Sequence, residues 1–238
     1  MKIKLAFLVV LLFNISAKAQ DTAEHKQATN SITVEKVYEN YLNAIGKKET
    51  LKEVKTINFK ANVTVEGLPM SLTAEIKLKS PNKESVEMSD EGMGIISKQK
   101  FNGEDGYVEQ QGVKTDLTEE QIKSKKGKHS IFPELYPGDI ESTLEETTFL
   151  NGRDTYKIKI VKGDNISYKF YDTENHLLVR AEMESKSQGK SSMEISDYKE
   201  VNGILFPHKQ KITAGMQIIT MNYTDVIINE NVTEEDFN

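Results

Sequence analysis

The chain of 238 residues has a formal net charge of −6, with 31 basic and 37 acidic side chains, and it contains no cysteine. This acidic balance disfavours nucleic acid or an anionic bilayer surface as the main partner. The lack of cysteine excludes disulfide bonds, a lipid-modified cysteine, a thiol nucleophile and a thiolate metal site. The fold must therefore be held together by its core alone.

The N-terminal stretch has the three parts of a secretory signal peptide. Residues 1–4 are basic, residues 5–13 are apolar, and Ala17 and Ala19 form a small-x-small cleavage site. We predict cleavage after Ala19 or Gln20. We expect no stable membrane anchor, because the apolar part is about half the length that a bilayer requires.

The sequence predicts three parts along the chain. Residues 1–20 are the signal peptide, residues 21–30 are a flexible polar leader, and residues 31–238 form a single domain. Removal of residues 1–19 leaves 28 basic and 37 acidic side chains, a net charge of −9. The mature protein is therefore predicted to be more acidic than the full chain.

An amphipathic helix is predicted at the start of the domain. Its apolar residues recur at intervals of three and four positions: Val34, Val37, Tyr38, Tyr41, Leu42 and Ile45. Ser31 and Thr33 are the candidate N-caps, and Gly46 stands where a helix usually ends. Residues 48–54 predict a second, short helix with Leu51 and Val54 facing inward.

The rest of the domain alternates apolar and polar residues between tight turns, as in residues 57–65 and 155–161. Period two is typical of half-buried antiparallel strands, and Asn-Gly or Asp-Gly pairs favour hairpins. We predict a mainly β fold: a curved antiparallel sheet or half-open β-barrel with an N-terminal helix and a helical lid-like insertion. The predicted strands are residues 55–66, 69–79, 83–90, 94–101, 106–111, 113–117, 144–151, 154–162, 166–172, 176–186, 191–200, 204–214 and 217–228.

One insertion interrupts the predicted meander, at residues 118–143. Thr118 and Gln121 have the spacing of a capping box at a helix start. Residues 123–128 are basic and are predicted to form a loop, and residues 139–143 to form another helical turn. Such an insertion must lie across a face or a mouth of the sheet. Its apolar residues, lying between or beside two prolines, are the candidate lid: Ile131, Phe132, Leu135 and Tyr136.

The sequence contains no recognisable catalytic or metal-binding motif. The four histidines, His25, His129, His176 and His208, have no metal-ligand spacing. We therefore predict a non-enzyme without cofactor or metal. The apolar residues of the early strands are candidates for the wall of a ligand cavity, and core packing is an equally good interpretation for each: Met70, Leu72, Met93, Ile95 and Phe101. Phe237 is predicted to pack against the sheet.

An ordered series of short segments resembles the LolA-like superfamily of outer-membrane lipoprotein-sorting proteins. The segments are residues 41–51, 101–107, 132–135, 151–158, 170–178 and 196–207. The resemblance implies an incomplete antiparallel barrel closed on one side by helices, an apolar cavity for acyl chains and a Gram-negative periplasmic location. Similar domains also look to be attached to zinc peptidases, but this chain lacks an HxxEH element.

Three functions stay open at this point. The favoured one is non-catalytic periplasmic binding or carriage of a lipid or of the acyl chain of an acylated protein, with the insertion gating the mouth. The second is an interaction or accessory module for an envelope protein partner such as a peptidase. The third is a hydrolase in which His129 or His208 meets a carboxylate and a hydroxyl group.

Overall fold

The computed structural model describes residues 32–126, 130–139, 141–162, 165–185 and 189–238. The predicted signal peptide, the leader, the candidate cap Ser31 and the histidines His25 and His129 lie outside these residues. Their assignments remain predictions.

The described residues form one antiparallel sheet of thirteen strands in the order β6-β5-β4-β3-β2-β1-β13-β12-β11-β10-β9-β8-β7. The strands are β1 Thr56–Val65, β2 Leu72–Lys79, β3 Lys83–Asp90, β4 Gly94–Phe101, β5 Gly106–Gln110, β6 Val113–Asp116, β7 Ser142–Leu150, β8 Arg153–Lys162, β9 Asn165–Asp172, β10 Leu178–Ser185, β11 Gly189–Val201, β12 Ile204–Ala214 and β13 Gln217–Ile228. The predicted mainly β fold is confirmed. The sheet is not closed into a barrel, because β6 and β7 are both edge strands.

The period-two pattern of β1 defines two faces of the sheet. Ala61, Val63 and Val65 are buried, whereas the residues between them are exposed. The partners of Ala61 and Val63 on β2, Ala74 and Leu72, are buried as well, so both strands present one apolar face, the inner face. Directly paired residues of antiparallel strands share a face, which fixes the inner face across the sheet.

The sheet curls at four register shifts in its described strand pairs. They lie between Lys60 and Ala61, Met88 and Ser89, Leu144 and Thr147, and Leu178 and Arg180. A bulge bends its strand and increases the local twist. The sheet is therefore curved and not flat.

The helices are α1 Val34–Ile45, α2 Lys48–Glu53 and α3 Glu119–Lys126. Thr33 caps α1, since its Oγ1 accepts a hydrogen bond from the Lys36 N–H at 3.3 Å. The predicted capping box of α3 is present: the N–H of Thr118 donates to Gln121 Oε1, and the N–H of Gln121 donates to Thr118 Oγ1. Each helix in the described part of the chain is too short or too polar to span a bilayer.

Two predictions about the insertion are wrong. Residues 123–126, predicted as loop, continue helix α3 to Lys126. The helical turn predicted at 139–143 lies earlier, as a 3₁₀ turn at Pro137–Asp139, and β7 begins at Ser142. Proline fixes φ near a helical value, which explains why the turn begins at Pro137.

The helices α1 and α2 cover one end of the inner face. Val37 and Tyr38 pack with Ile158, Ile160 and Tyr171. Further core residues join the helices to the central strands, and they are Leu42, Ile45, Leu51, Val54, Ile57, Ile204, Phe206 and Val226. The inward orientation predicted for Leu51 and Val54 is confirmed.

The C-terminal segment packs against the other face of the sheet. Phe237, in the 3₁₀ turn Glu235–Phe237, is fully buried, as predicted. Lys77 Nζ on β2 lies 2.5 Å from Asp236 Oδ1, and Lys79 and Lys83 both pair with Glu234. One apolar anchor and three ion pairs thus attach the segment to strands β2 and β3.

We expect the variant Phe237→Ala to lower the free energy of unfolding by about 3 kcal/mol, the cost of removing a large buried aromatic side chain. Urea denaturation at neutral pH measures the change. The matched control is Glu235→Ala, because Glu235 lies in the same turn and is exposed. Equal stability of the two variants would contradict the assigned anchor role.

Candidate functional site

The apolar wall is a cluster of inner-face residues without a member from a described helix. It consists of Ala61, Val63, Val65, Leu72, Ala74, Ile76, Val86, Met88, Ile96, Ile212, Ile219, Met221 and Tyr223. Phe59, Leu68, Met70, Leu78 and Met193 are partly buried and pack against it. The members are between 1% and 9% exposed, so they contact one another and their neighbours closely.

A chain of aromatic rings joins the apolar wall to the insertion. Phe132 lies 6.3 Å from Phe206, Phe206 lies 5.9 Å from Phe59, and Phe59 lies 5.4 Å from Tyr223, measured between ring centroids. These distances fall in the range of favourable aromatic pairs. Phe59 packs against both the wall and the helix-side core. The two apolar regions are therefore continuous.

Two polar side chains on the inner face, Tyr223 and His208, have local hydrogen-bond partners. The Tyr223 hydroxyl donates to Gln210 Oε1 at 2.9 Å, and burial raises the pKa of Tyr223 above its ordinary value. His208 Nδ1 lies 3.0 Å from the Phe206 carbonyl oxygen, which only accepts, so Nδ1 is the donor. Within the part of the chain that the structure describes, no hydrogen bond or ion pair joins His208 to a carboxylate.

The described residues between edge strand β6 and edge strand β7, which are 117–126, 130–139 and 141, are called the lid. Its first part is anchored by a buried ion pair on β3. Lys125 Nζ lies 2.6 Å from Glu84 Oε1, and both side chains are at most 6% exposed. Gln99 Nε2 donates to the same carboxylate at 2.8 Å. The lid thus attaches to the β1–β6 arm of the sheet.

A second buried ion pair anchors the other part of the lid on β9. Lys169 Nζ lies 2.5 Å from Glu134 Oε1, and the Tyr171 hydroxyl donates to the same oxygen at 2.9 Å. Burial would raise the pKa of Glu134, but the charge and hydrogen bond of Lys169 outweigh it and lower that pKa below its ordinary value. Burial raises the pKa of Tyr171, so its hydroxyl stays a donor.

The structure separates the predicted site residues into four groups. Leu72 belongs to the wall with Met70 against it, and both line a groove of about 600 Å³ between β1 and β3. Phe132 and Leu135 are buried among the helix-side residues, with Ile131 packed against them. Phe101 is buried, and the centroid of its ring lies 6.0 Å from Lys125 Nζ. Met93, Ile95 and Tyr136 are exposed.

Sequence reasoning missed Glu84, Lys125, Glu134 and Lys169. The one local signal was Glu134, a single charge within the apolar stretch 131–136. A buried charge needs a partner, but the partner is 35 residues further along the chain. No group of three or more His, Asp or Glu side chains suited to a metal ion occurs among the described residues.

No protein-family model matches the sequence, and neither does any curated protein. Solved structures match in fold. A LolA superfamily protein from Nitrosomonas europaea superposes with a TM-score of 0.61 at 12% identity, over 87% of this chain and 98% of its own. A DUF1329 family protein from Desulfovibrio piger gives 0.58 at 10% identity, over 86% and 97%.

A third solved structure is a Vibrio parahaemolyticus domain described as an outer membrane lipoprotein-sorting protein. It superposes with a TM-score of 0.57 at 9% identity, over 86% of this chain and 95% of its own. The chain has the LolA-like fold. At these identities the likeness is one of fold alone.

We expect Glu134→Gln to lower the free energy of unfolding by about 3 kcal/mol, because Lys169 is then left buried without a counter-charge. Adding Lys169→Met should recover part of the loss, because no buried charge remains. Urea denaturation at pH 7 measures both. Glu39→Gln, which breaks an exposed ion pair with Lys36, should leave stability unchanged. A double variant less stable than Glu134→Gln would contradict the pairing.

Acid should weaken the attachment of the lid. The pKa of Glu134 is lower in the folded than in the unfolded chain, so the contribution of its charge is complete above about pH 4.3 and is lost as the pH falls through the lowered pKa. Between pH 7 and pH 3, the wild type should lose more stability than Glu134→Gln/Lys169→Met. This comparison removes the common effect of Asp172 and Asp236, whose pKa values are also lowered.

Proposed function

We propose that this protein binds or carries a lipid, or the acyl chain of a lipoprotein, on the inner face of its sheet in the periplasm, without catalysis. One observation supports this above all. The sheet is unclosed, and the opening between its edge strands is crossed by a lid that two ion pairs hold at opposite arms. Such an arrangement allows the arms to separate without unpairing the strands.

Binding would be driven by partitioning. Each buried methylene contributes about 0.8 kcal/mol, so a chain of sixteen carbons gains on the order of 10 kcal/mol before ordering costs. The wall residues contact one another in this structure, so an incoming chain must displace contacts between them. Met88, Met221 and the half-buried Met193 lie on this face. Methionine adapts its shape at low cost.

Opening of the lid is resisted by its two ion pairs, Glu84–Lys125 and Glu134–Lys169, and by the contact of Phe132 with Phe206. An acyl chain that widens the opening must move Phe132 away from Phe206 or stretch an ion pair at Glu84 or Glu134. The aromatic contact separates at lower cost, because a charged pair in a buried site is expensive to break. Entry is therefore expected beside the aromatic chain, with the ionic anchors retained as hinges.

Two further observations support the proposal. The Vibrio parahaemolyticus domain, which shares this fold, is described as an outer membrane lipoprotein-sorting protein. The predicted signal peptide directs export, which agrees with a periplasmic site of action. The favoured ligand class, an apolar chain, follows from the composition of the wall.

The variant Ala74→Leu tests the binding surface. Ala61 and Ala74 are paired on the inner face and have the smallest side chains of the wall. A leucine there should lower uptake of a fluorescent fatty acid several-fold, at a stability cost of about 1–3 kcal/mol. Thr73→Leu is the matched control, because Thr73 is exposed on the other face of the same strand.

Circular dichroism and thermal melting establish that both variants are folded at the assay temperature. Native mass spectrometry of the wild type, purified from its own periplasm and followed by lipid extraction, identifies any bound chain. Equal uptake by Ala74→Leu and Thr73→Leu, together with no lipid in the native spectrum, would rule out the proposed site.

A second candidate function is the accessory module for an envelope protein. The observation that favours it is the pair of edge strands, of which β6 is exposed at every residue and β7 exposes Phe149. Edge strands present unpaired backbone groups to an extended partner segment. Absence of any apolar ligand in the tests above would favour this function over carriage.

A further inference from the structure

Four hairpin turns at one end of the sheet each place an apolar residue directly after a glycine. The glycines are Gly67, Gly92, Gly112 and Gly215, and the apolar residues that follow them are Leu68, Met93, Val113 and Met216. We call these four apolar residues the apolar rim. Met93, Val113 and Met216 are 64%, 69% and 101% exposed, and Leu68 is half-buried.

The turns protrude into open space. A Cβ atom built on Gly67, Gly112 or Gly215 would meet no other atom within 4 Å, and all three glycines have positive φ, which permits a tight apex. The fourth turn is held by Asp90, whose Oδ1 accepts hydrogen bonds from the N–H groups of Gly92 and Met93. The apices are therefore ordered by local backbone geometry, and Met93, Val113 and Met216 are exposed there, whereas Leu68 also packs against the apolar wall.

The opposite end of the sheet has no exposed apolar residue directly after a turn glycine, because Ile204, which follows Gly203, is buried. Its described turns present polar residues, and they are Asn82, Asn102, Glu104, Asp105, Asn151, Glu174 and Asn202. Phe149 is exposed near that end, but it is the second-last residue of β7 and does not follow a glycine. Among the described turns, the apolar rim therefore occurs at one end of the sheet only. Hairpin geometry alone does not explain it, because the other end also has hairpin turns.

The four turns are neighbours in space. They join β5 to β6, β3 to β4, β1 to β2 and β12 to β13, which are consecutive in the sheet order. Strands lie about 4.8 Å apart, so adjacent apices are about 10 Å apart and the rim extends about 30 Å. It stands at the end of the apolar wall that helices α1 and α2 do not cover.

We propose that the apolar rim docks this protein on the surface of a zwitterionic phospholipid bilayer. Four separate apices expose on the order of a few hundred Å² of apolar surface. A stable protein interface buries at least about 1,200 Å², so a second copy or a rigid partner gains too little from them. Separate apices can each insert into lipid independently, and such insertion is weak and reversible.

The acidic side chains near the apolar rim favour a zwitterionic bilayer over an anionic one. The chain is acidic overall, and Glu66, Asp90 and Glu91 flank two of the four apices. An anionic surface would repel these groups. The proposal goes beyond ligand binding and does not rest on it, because docking needs the turns alone. Docking in this way places the end of the apolar wall that helices α1 and α2 do not cover against the membrane.

Flotation with phosphatidylcholine vesicles, using ligand-free full-length mature protein, tests the proposal. Wild type should float with the vesicles. Met93→Ser/Met216→Ser should lower the partition coefficient about tenfold or more, because it removes the two exposed methionine side chains from the lipid. Phe149→Ser is the matched control, an equally exposed apolar residue at the other end, and should behave as wild type.

Three outcomes would overturn the proposal: no flotation of wild type, an equal loss with Phe149→Ser, or self-association of wild type without lipid that Met93→Ser/Met216→Ser abolishes. The last would assign the rim to contacts between copies. Fatty-acid uptake by the double variant keeps the two proposals separate. Unchanged uptake with lost flotation supports docking, and lost uptake with unchanged flotation overturns it.

Discussion

The pairing of β1 with β13 is the constraint on which the rest of the structure depends. Nine residue pairs join these strands at the centre of the sheet. The remaining strands follow as two meanders that run outward from this centre. The free edges therefore belong to strands that are consecutive in sequence, β6 and β7, and the segment between them must cross the open side. The position of the lid is thus a consequence of topology, and its side chains determine where it attaches to the two arms of the sheet.

Two kinds of interaction hold that lid. The Glu84–Lys125 and Glu134–Lys169 pairs are directional and buried, so they fix where α3 and the 3₁₀ turn after Phe132 lie. The aromatic chain from Phe132 to Tyr223 is adaptable, because neighbouring rings can slide without leaving charge unpaired. The lid is thus held by two directional ion pairs and by one adaptable apolar contact, Phe132 with Phe206.

Local sequence was sufficient for much of the fold. Thr118 and Gln121 predicted the cap of α3, and the alternation in residues 57–65 predicted the inner face of β1, because both signals lie within a few residues. The anchors of the lid required contacts across 41 and 35 residues, which no local pattern encodes. The period-two pattern also cannot distinguish Leu72, which is buried in the apolar wall, from Ile95, which is exposed, because both are apolar strand residues.

The order in which the strands pair has a consequence for biogenesis. One side of β1 has no partner until residues 217–228 are available, although β2 follows β1 directly. A contact between such distant segments forms slowly, since a long loop must close first. A chain without residues 217–228 would therefore expose the unpaired backbone groups on one side of β1, at the position that becomes the centre of the sheet.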